Sequence, residues 1–489
     1  MSVDLTIAIA GLLLLGGAFS NKISSRFNLP ALLLFLGAGV LADMILPVDM
    51  LSHADMVNTF GIVAMSYILY SGGMETDLAA VKRVMRPGLL LAGPGVMLTA
   101  LLLGSCAYLV FGSSKPFLWC LLLGALISST DAAAVFAILR GRGVGLKRDL
   151  QPLLELESGS NDPMAVSLTV VLVTAIAGGS SGGVWELPLA IYRLGGGIFF
   201  GWLLGRFGKY LFKVKLEYEG LYFVVSVALV LVCYGLSQAL MANGFMACYV
   251  CGVIMGNTRY YYKNGLCKFH NGFAWLMQVG LFIVLGFMVK PVELFTDAEV
   301  WTRGVVLGLL LMFLVRPLSV FCCLTGSGYS FKEKIFISWV GIRGAAPIVL
   351  ATFPLAFGVE DADLLFKLIF FMVLLSVLLQ GWLLMPVARL LELATDGAEK
   401  DEPPPLALEI TSGTSHQDMR EFKVRKKSVL AGKSLAQIAL PQGVLVTMIR
   451  RKGEFIAPRG DTVIAVGDGL LMMAERKMLA EVEGKYFAG

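Results

Sequence analysis

Apolar runs, each close to the length of a bilayer-crossing helix, follow one another from the N-terminus to about residue 390, with short polar segments between them. A helix that crosses the hydrocarbon core needs about 20 predominantly apolar residues. Thirteen runs approach that measure, at about 5–20, 30–47, 58–74, 88–112, 116–139, 152–178, 187–206, 220–241, 244–258, 272–290, 300–323, 335–357 and 362–388. The first lacks a basic flank and a small-residue cleavage site, so it is expected to be a span and not a signal peptide. After Arg389 the pattern changes. ELATDGAEKDEPPPLALE is charged and proline-rich, which predicts a linker over 393–418. Over 419–489, EFKV alternates, KSLAQIAL predicts a short helix, and GVLVTMIRR and DTVIAVGD predict strands bounded by Gly, Pro and Asp. The expected fold is an all-α polytopic membrane domain over 1–392 with thirteen transmembrane helices, followed by a small α+β module.

Composition strengthens this picture. Of 489 residues, 57% are hydrophobic and only 15% charged, against about 25% charged in soluble domains. The 55 glycines suit close helix packing in lipid. Basic residues then orient the chain, because Lys and Arg are retained on the cytoplasmic side. Lys22 and Arg26, Lys82 to Arg86, Arg140 to Arg148, Arg206 to Lys215, Arg259 to Lys268, and Lys332 with Lys334 all follow odd-numbered spans. The alternate loops are short and nearly bare of basic residues, as in FGSSKPF, MANG and FGVEDAD. The N-terminus is thus expected outside and the C-terminal module on the cytoplasmic side of the membrane. The net charge of +5 belongs to these loops and is no sign of nucleic-acid binding.

Several chemistries drop out. The eight cysteines lie almost entirely in apolar runs, where a thiol behaves as a small hydrophobe. Cys248 and Cys251 have CxxC spacing, but MACYVCGVIMG reads as a helix face. His53, His270 and His416 are scattered, which argues against a metal-centred enzyme. No GxGxxG or P-loop precedes the C-terminal module, and no cofactor is expected.

Charged groups inside spans are costly and mark function. ISSTDAAAV places Ser128, Ser129, Thr130 and Asp131 about midway through the fifth span. ELESGSNDPMAV places Glu155, Glu157, Ser158, Asn161 and Asp162 in the sixth, with Pro163 unable to donate a backbone hydrogen bond. The two spans run in opposite directions, so at about 1.5 Å per residue Thr130, Asp131, Ser158, Asn161 and Asp162 reach a common depth near the midplane. Desolvation there favours a neutral carboxyl group, whereas a bound cation favours the carboxylate. Proton and monovalent cation therefore compete for one site, with Asp162 as the carrier and one proton exchanged per cation.

WVGIRGAAPIVLA adds a third feature. Gly341, Gly344 and Pro347 are expected to unwind the twelfth span, as in transporters whose broken helices form a midplane site. Arg343 and Glu157 lie at similar depth and are expected to form a buried ion pair. Arg316, in FLVRPLSV, is a second buried cation that could pair instead with Glu155 or Glu157, or snorkel. Glu75, in YSGGMETDL, lies near the cytoplasmic end of the third span, where a solvated terminus is the plainer reading.

SSTDAAAVF, ESGSNDPMAV, GGMETDL and GIRGAAPIVLA resemble the signatures of monovalent cation/proton antiporters of the CPA1 type, in particular the bacterial NhaP-type potassium/proton antiporters. That resemblance implies inverted repeats with broken helices, a homodimer in the membrane lipid, and elevator-type alternating access. It also implies that Asp162 binds the ion and that Thr130, Asp131 and Ser158 help to coordinate it. Asn161 would mark electroneutral exchange, and Glu157–Arg343 would be structural. SVLAGKSLAQIALPQGVLVTMIRRKGEFIAPRGDTVIAVGDGLLMMA is similar to the TrkA-C module, the C-terminal subdomain of RCK regulators, which implies a small regulatory ligand and favours potassium over sodium. The nucleotide-binding half of such regulators is missing.

Rival readings fit less of the chain. An intramembrane aspartyl protease needs a water shared by Asp131 and Asp162 and leaves thirteen spans unexplained. A tail-gated channel needs repeated filter loops, and none is visible. A sensor without transport leaves the intramembrane Asn161–Asp162 pair without purpose.

Overall fold

A computed structural model of the protein describes residues 8, 11–17, 31–45, 54–141, 144–147, 149–177, 186–258, 260, 262–290, 296–396, 417–424, 428, 430–438, 440–451, 454–482 and 486–487. The chain divides into two units, Met1–Ala398 and Glu399–Gly489. In the first unit, α1 (Ala31–Ile45), α2 (Ala54–Glu75), α3 (Leu78–Leu90) and α4 (Val96–Phe111) precede α5 (Phe117–Leu126) and α6 (Ala132–Gly141). A short strand β1 (Val144–Leu146) leads to α7 (Leu150–Ala177), α8 (Glu186–Leu211), α9 (Glu219–Ala239), α10 (Gly244–Gly256) and α11 (Lys263–Phe287). Then come α12 (Ala298–Leu310), α13 (Arg316–Cys323), α14 (Phe331–Trp339), α15 (Ala345–Leu350), α16 (Thr352–Ala356), α17 (Ala362–Leu390) and strand β2 (Ala394–Asp396).

Among the described residues, six helices are long and apolar enough to cross a membrane, and four apolar helices are shorter. The shorter ones include Phe117–Leu126, in the first half of the fifth predicted span, and Ala345–Ala356, in the second half of the twelfth. Half of the predicted span at 5–20 lies outside the described residues. Prolines shape two of the long helices. π-helical turns at Leu91–Gly95, which contains Pro94, and at Leu311–Val315, just before Pro317, join α3 to α4 and α12 to α13 without breaking the rod.

Close backbone approach needs glycine. A Cβ at Gly252 or Gly256 of α10 would collide with the carbonyls of Tyr70 and Met74 on α2, and one at Gly124 of α5 would collide with the Ala100 carbonyl on α4. The outer surface is apolar, with Leu109, Phe207, Phe313 and Trp382 all exposed, as lipid contact requires.

The fifth predicted span is not one helix. It divides into α5 and α6 around a non-helical segment, residues 128–131, because the Ser-Ser-Thr-Asp run competes for backbone hydrogen bonds. The predicted unwinding of the twelfth span is present: α14 and α15 are separated by non-helical residues 341–344. Past α17 the chain pairs β2 with β1 in an antiparallel ribbon, so the start of the predicted linker at 393–418 is an ordered strand.

The second unit is a four-stranded antiparallel sheet in the order β3-β6-β4-β5, formed by β3 (Gln417–Lys423), β4 (Leu445–Arg451), β5 (Glu454–Ile456) and β6 (Gly469–Glu475), with helix α18 (Arg476–Val482). Ile449, Leu470, Met472 and Leu479 are in its core. GVLVTMIRR holds β4 as expected, but two expectations fail. Within KSLAQIAL the chain makes only a 3₁₀ turn, Leu435–Gln437, closed by Ser434 and Gln437. DTVIAVGD is a turn with one isolated bridge, and the strand follows at GLLMMAE. Asp468 explains this: its carboxylate accepts from the Ala465 N–H at 2.8 Å and folds that segment back.

Candidate ion-binding site

Two non-helical segments, residues 128–131 and 341–344, are joined where their helices are interrupted. The Asp131 N–H donates to the Ile342 carbonyl at 2.8 Å. Arg343 Nη1 donates to the carbonyls of both Ser128 and Ser129 at 2.7 Å. The Arg343 N–H donates to Ser376 Oγ on α17, and Gln380 Nε2 of the same helix holds the Trp339 carbonyl at 2.9 Å. Backbone groups freed by an interruption in lipid must find partners within the protein, and these contacts supply them. Asp131 caps α6, accepting from the Ala134 N–H at 3.1 Å. A Cβ at Gly344 would collide with the Asp131 carboxylate, so glycine is what lets the segments approach.

Helix α7 lies against this junction. Ser158 Oγ accepts from the Ala132 N–H and donates to the Thr130 carbonyl, both at 3.0 Å. Asn161 Nδ2 donates to Thr130 Oγ1 at 2.6 Å. Asn161 Oδ1 and Asp162 Oδ1 are buried and have no hydrogen-bond donor. An ionised carboxylate and an amide oxygen are both pure acceptors, so these two atoms together suit a cation, and the Asp162 oxygen suits a proton. Hydrogen bonds thus gather Ser158 and Asn161 against Thr130 and the start of the helix that Asp131 caps, and Asp162 is the next residue along α7.

The expected Glu157–Arg343 pair is corrected. Glu157 Oε1 accepts from Arg316 Nη2 at 2.5 Å, with both side chains almost fully buried. Arg343 is engaged by the two serine carbonyls instead, because the break in the fifth span offers acceptors that a continuous helix would not. Glu75 is exposed at the end of α2, and its carboxylate accepts from Asn271 Nδ2 of α11 at 2.6 Å. Glu155 accepts from Gln151 at 2.9 Å. Cys248 and Cys251 are free thiols buried in α10.

Asn243 was not among the expected site residues. It lies just before α10, and its amide reaches the Pro163 carbonyl and Ser167 Oγ on α7. The sequence signal was faint: an Asn-Gly in the loop MANG, which marks a turn as readily as a helix cap.

Comparisons with known proteins identify the family of each unit. The sodium/hydrogen exchanger transmembrane family matches residues 10–390, and the TrkA-C domain matches residues 419–485. A K(+)/H(+) antiporter NhaP2 of Shewanella oneidensis is 34% identical over 98% of this chain and 82% of its own length. A K(+)/H(+) antiporter NhaP of Alkalimonas amylolytica is 33% identical over 97% of this chain and 82% of its own. Among solved structures, the sodium proton antiporter MjNhaP1 from Methanocaldococcus jannaschii superposes with a TM-score of 0.68 at 25% identity, covering 78% of this chain and all of that one. The protein is a membrane transporter: it belongs to the sodium/hydrogen exchanger family of cation/proton antiporters and carries a TrkA-C domain.

Proposed function

We propose that the protein exchanges cytoplasmic potassium for protons, with sodium as the alternative cation, one for one and without net charge movement. The observation that carries this reading is the pair of donor-free buried oxygens, Asp162 Oδ1 and Asn161 Oδ1, at the crossing of two interrupted helices. Charge counting supports the stoichiometry. Asp131, Glu157 and Asp162 supply three negative charges and Arg316 and Arg343 two positive ones, and two minus three leaves one negative charge. One proton or one monovalent cation neutralises it, and the empty charged state is the one least able to cross lipid. Asp162 is where they compete. The name of the Shewanella relative favours potassium, whereas that of the superposed structure says sodium.

In this reading Thr130, Asp131, Ser158 and Asn161 frame the cation, Glu157–Arg316 is structural, and Glu75 lies toward the cytoplasmic approach. The protein works as a homodimer in the inner membrane, N-terminus outside and tail inside, by elevator-type alternating access. The TrkA-C domain takes a small regulatory ligand. The test is proton flux in everted vesicles with potassium, sodium and lithium compared. Asp162→Asn is expected to abolish cation-driven flux while the protein remains folded, and wild-type flux in that variant overturns the assignment.

A further inference from the structure

The helix that carries Asp162 is weakest at Asp162. Pro163 follows it inside α7 and has no N–H, so the Gly159 carbonyl lacks its usual helical donor. A helix bends most readily at such a point, and a bend there would move the Asp162 carboxylate relative to Thr130 and Asp131. Beside the contacts of Ser158 and Asn161 with the 128–131 segment, α7 is held at this point by α10 and the residue before it. On the N-terminal side, the Tyr249 ring fills the notch at Gly159 so closely that a Cβ there would collide with it. On the C-terminal side, Asn243 Nδ2 donates to the Pro163 carbonyl at 3.0 Å and to Ser167 Oγ at 2.7 Å, while Ser167 Oγ itself donates to the Pro163 carbonyl at 3.0 Å.

Asn243 is itself anchored. Its Oδ1 caps α10 by accepting from the Met246 N–H at 2.9 Å, and its own N–H donates to the Arg193 carbonyl of α8 at 2.8 Å. It is almost fully buried, so water does not compete for these bonds. One amide therefore ties the residue after Asp162 to two neighbouring helices.

We propose that Asn243 is a positioning residue for the ion site, setting where Asp162 stands through its bridge to Pro163 and Ser167. This rests on the antiport reading above. Positioning by a locked side chain matters because small displacements of a coordinating group weaken binding steeply.

The test separates the bridge from the cap. Asn243→Ser keeps a good helix cap but is too short to reach α7, and Ser167→Ala leaves the cap untouched. The half-saturating cation concentration is read two ways on the full-length protein: by proton flux in everted vesicles, and by thermal stabilisation of purified protein titrated with potassium or sodium. Asn243→Ser is expected to raise it about tenfold, equivalent to about 1.4 kcal/mol, with the maximal rate little changed. Ser167→Ala is expected to raise it less, and the double variant to match Asn243→Ser alone, because both act through one bridge. Wild-type half-saturation in either single variant overturns the proposal, as does additivity in the double. Should Asn243→Ser not fold, Ser167→Ala still decides. Wild-type protein that neither exchanges nor is stabilised by either cation overturns the antiport reading and this proposal together, whereas wild-type exchange with unaffected variants overturns this one alone.

Discussion

Two buried carboxylates, one in each unit, are paired with arginine in different media. In the membrane unit, Glu157 and Arg316 are 2% and 4% exposed. In the tail, Asp468 is 2% exposed but its partner Arg451 is 35% exposed. The geometry is similar, at 2.5 Å and 2.7 Å. The difference lies in what happens when a partner is lost. Around Arg451 water can enter and solvate the remaining charge. Around Glu157 there is protein, and beyond it lipid, so the pair must hold itself neutral or the unit must bury a bare ion. The same residue types therefore serve as a structural necessity in one unit and a modest brace in the other.

The largest effect is expected from breaking the membrane pair. Arg316→Ala and Glu157→Ala should each destabilise the protein by about 3–5 kcal/mol, because each leaves an uncompensated buried charge. The double variant Glu157→Gln/Arg316→Met should lose less than either single one, which a thermal-melting cycle on purified protein would read directly. A double variant as unstable as the sum of the two single losses would break the comparison. Arg343→Ala should come next, at about 1.5–3 kcal/mol. It strands the neutral carbonyls of Ser128 and Ser129, and no carboxylate loses a hydrogen-bonded partner. Equal losses in Arg343→Ala and Arg316→Ala would mean that Arg343 carries a charge pairing as well.

How much of this was legible in the chain depends on whether partners are near in sequence. The apolar runs and the soluble tail follow from local pattern, and Gly341, Gly344 and Pro347 marked the second interruption. The break at 128–131 was half visible. Asp131 before an alanine-rich segment is a helix-start signal, but inside a 24-residue apolar stretch, 116–139, it looked like an interruption of a continuing helix. The partner of Glu157 was open because depth alone does not separate Arg343 from Arg316. Only the Ser128 and Ser129 carbonyls, exposed by the break, draw Arg343 away. The β1–β2 ribbon joins residues about 250 positions apart, and neither three-residue strand could be read alone. In the tail, DTVIAVGD has strand composition, yet Asp468 captures its backbone and Arg451 at once.

The smallest effect, and the one that sharpens the comparison most finely, belongs to Asp468. Burial alone pushes its carboxyl up, but hydrogen bonds from Arg451 and the Ala465 N–H and the adjacent guanidinium charge outweigh it and hold it below the ordinary value. A carboxylate whose folded value is lowered stabilises the fold at pH above its unfolded value, about 3.9. That contribution is lost as pH falls through the lowered folded value. Tail stability in the full-length protein should therefore be flat at neutral pH and decline only in acid, read by hydrogen exchange of the β4 and β6 amides. Asp468→Asn keeps an acceptor for Ala465 but removes the charge, so it should cost about 1 kcal/mol near neutrality and flatten the acid decline. An acid decline of wild-type size in that variant would assign the sensitivity to another group. A loss as large as that of Arg316→Ala would show that the third of Arg451 open to water gives no relief, and the contrast between the two media would fall.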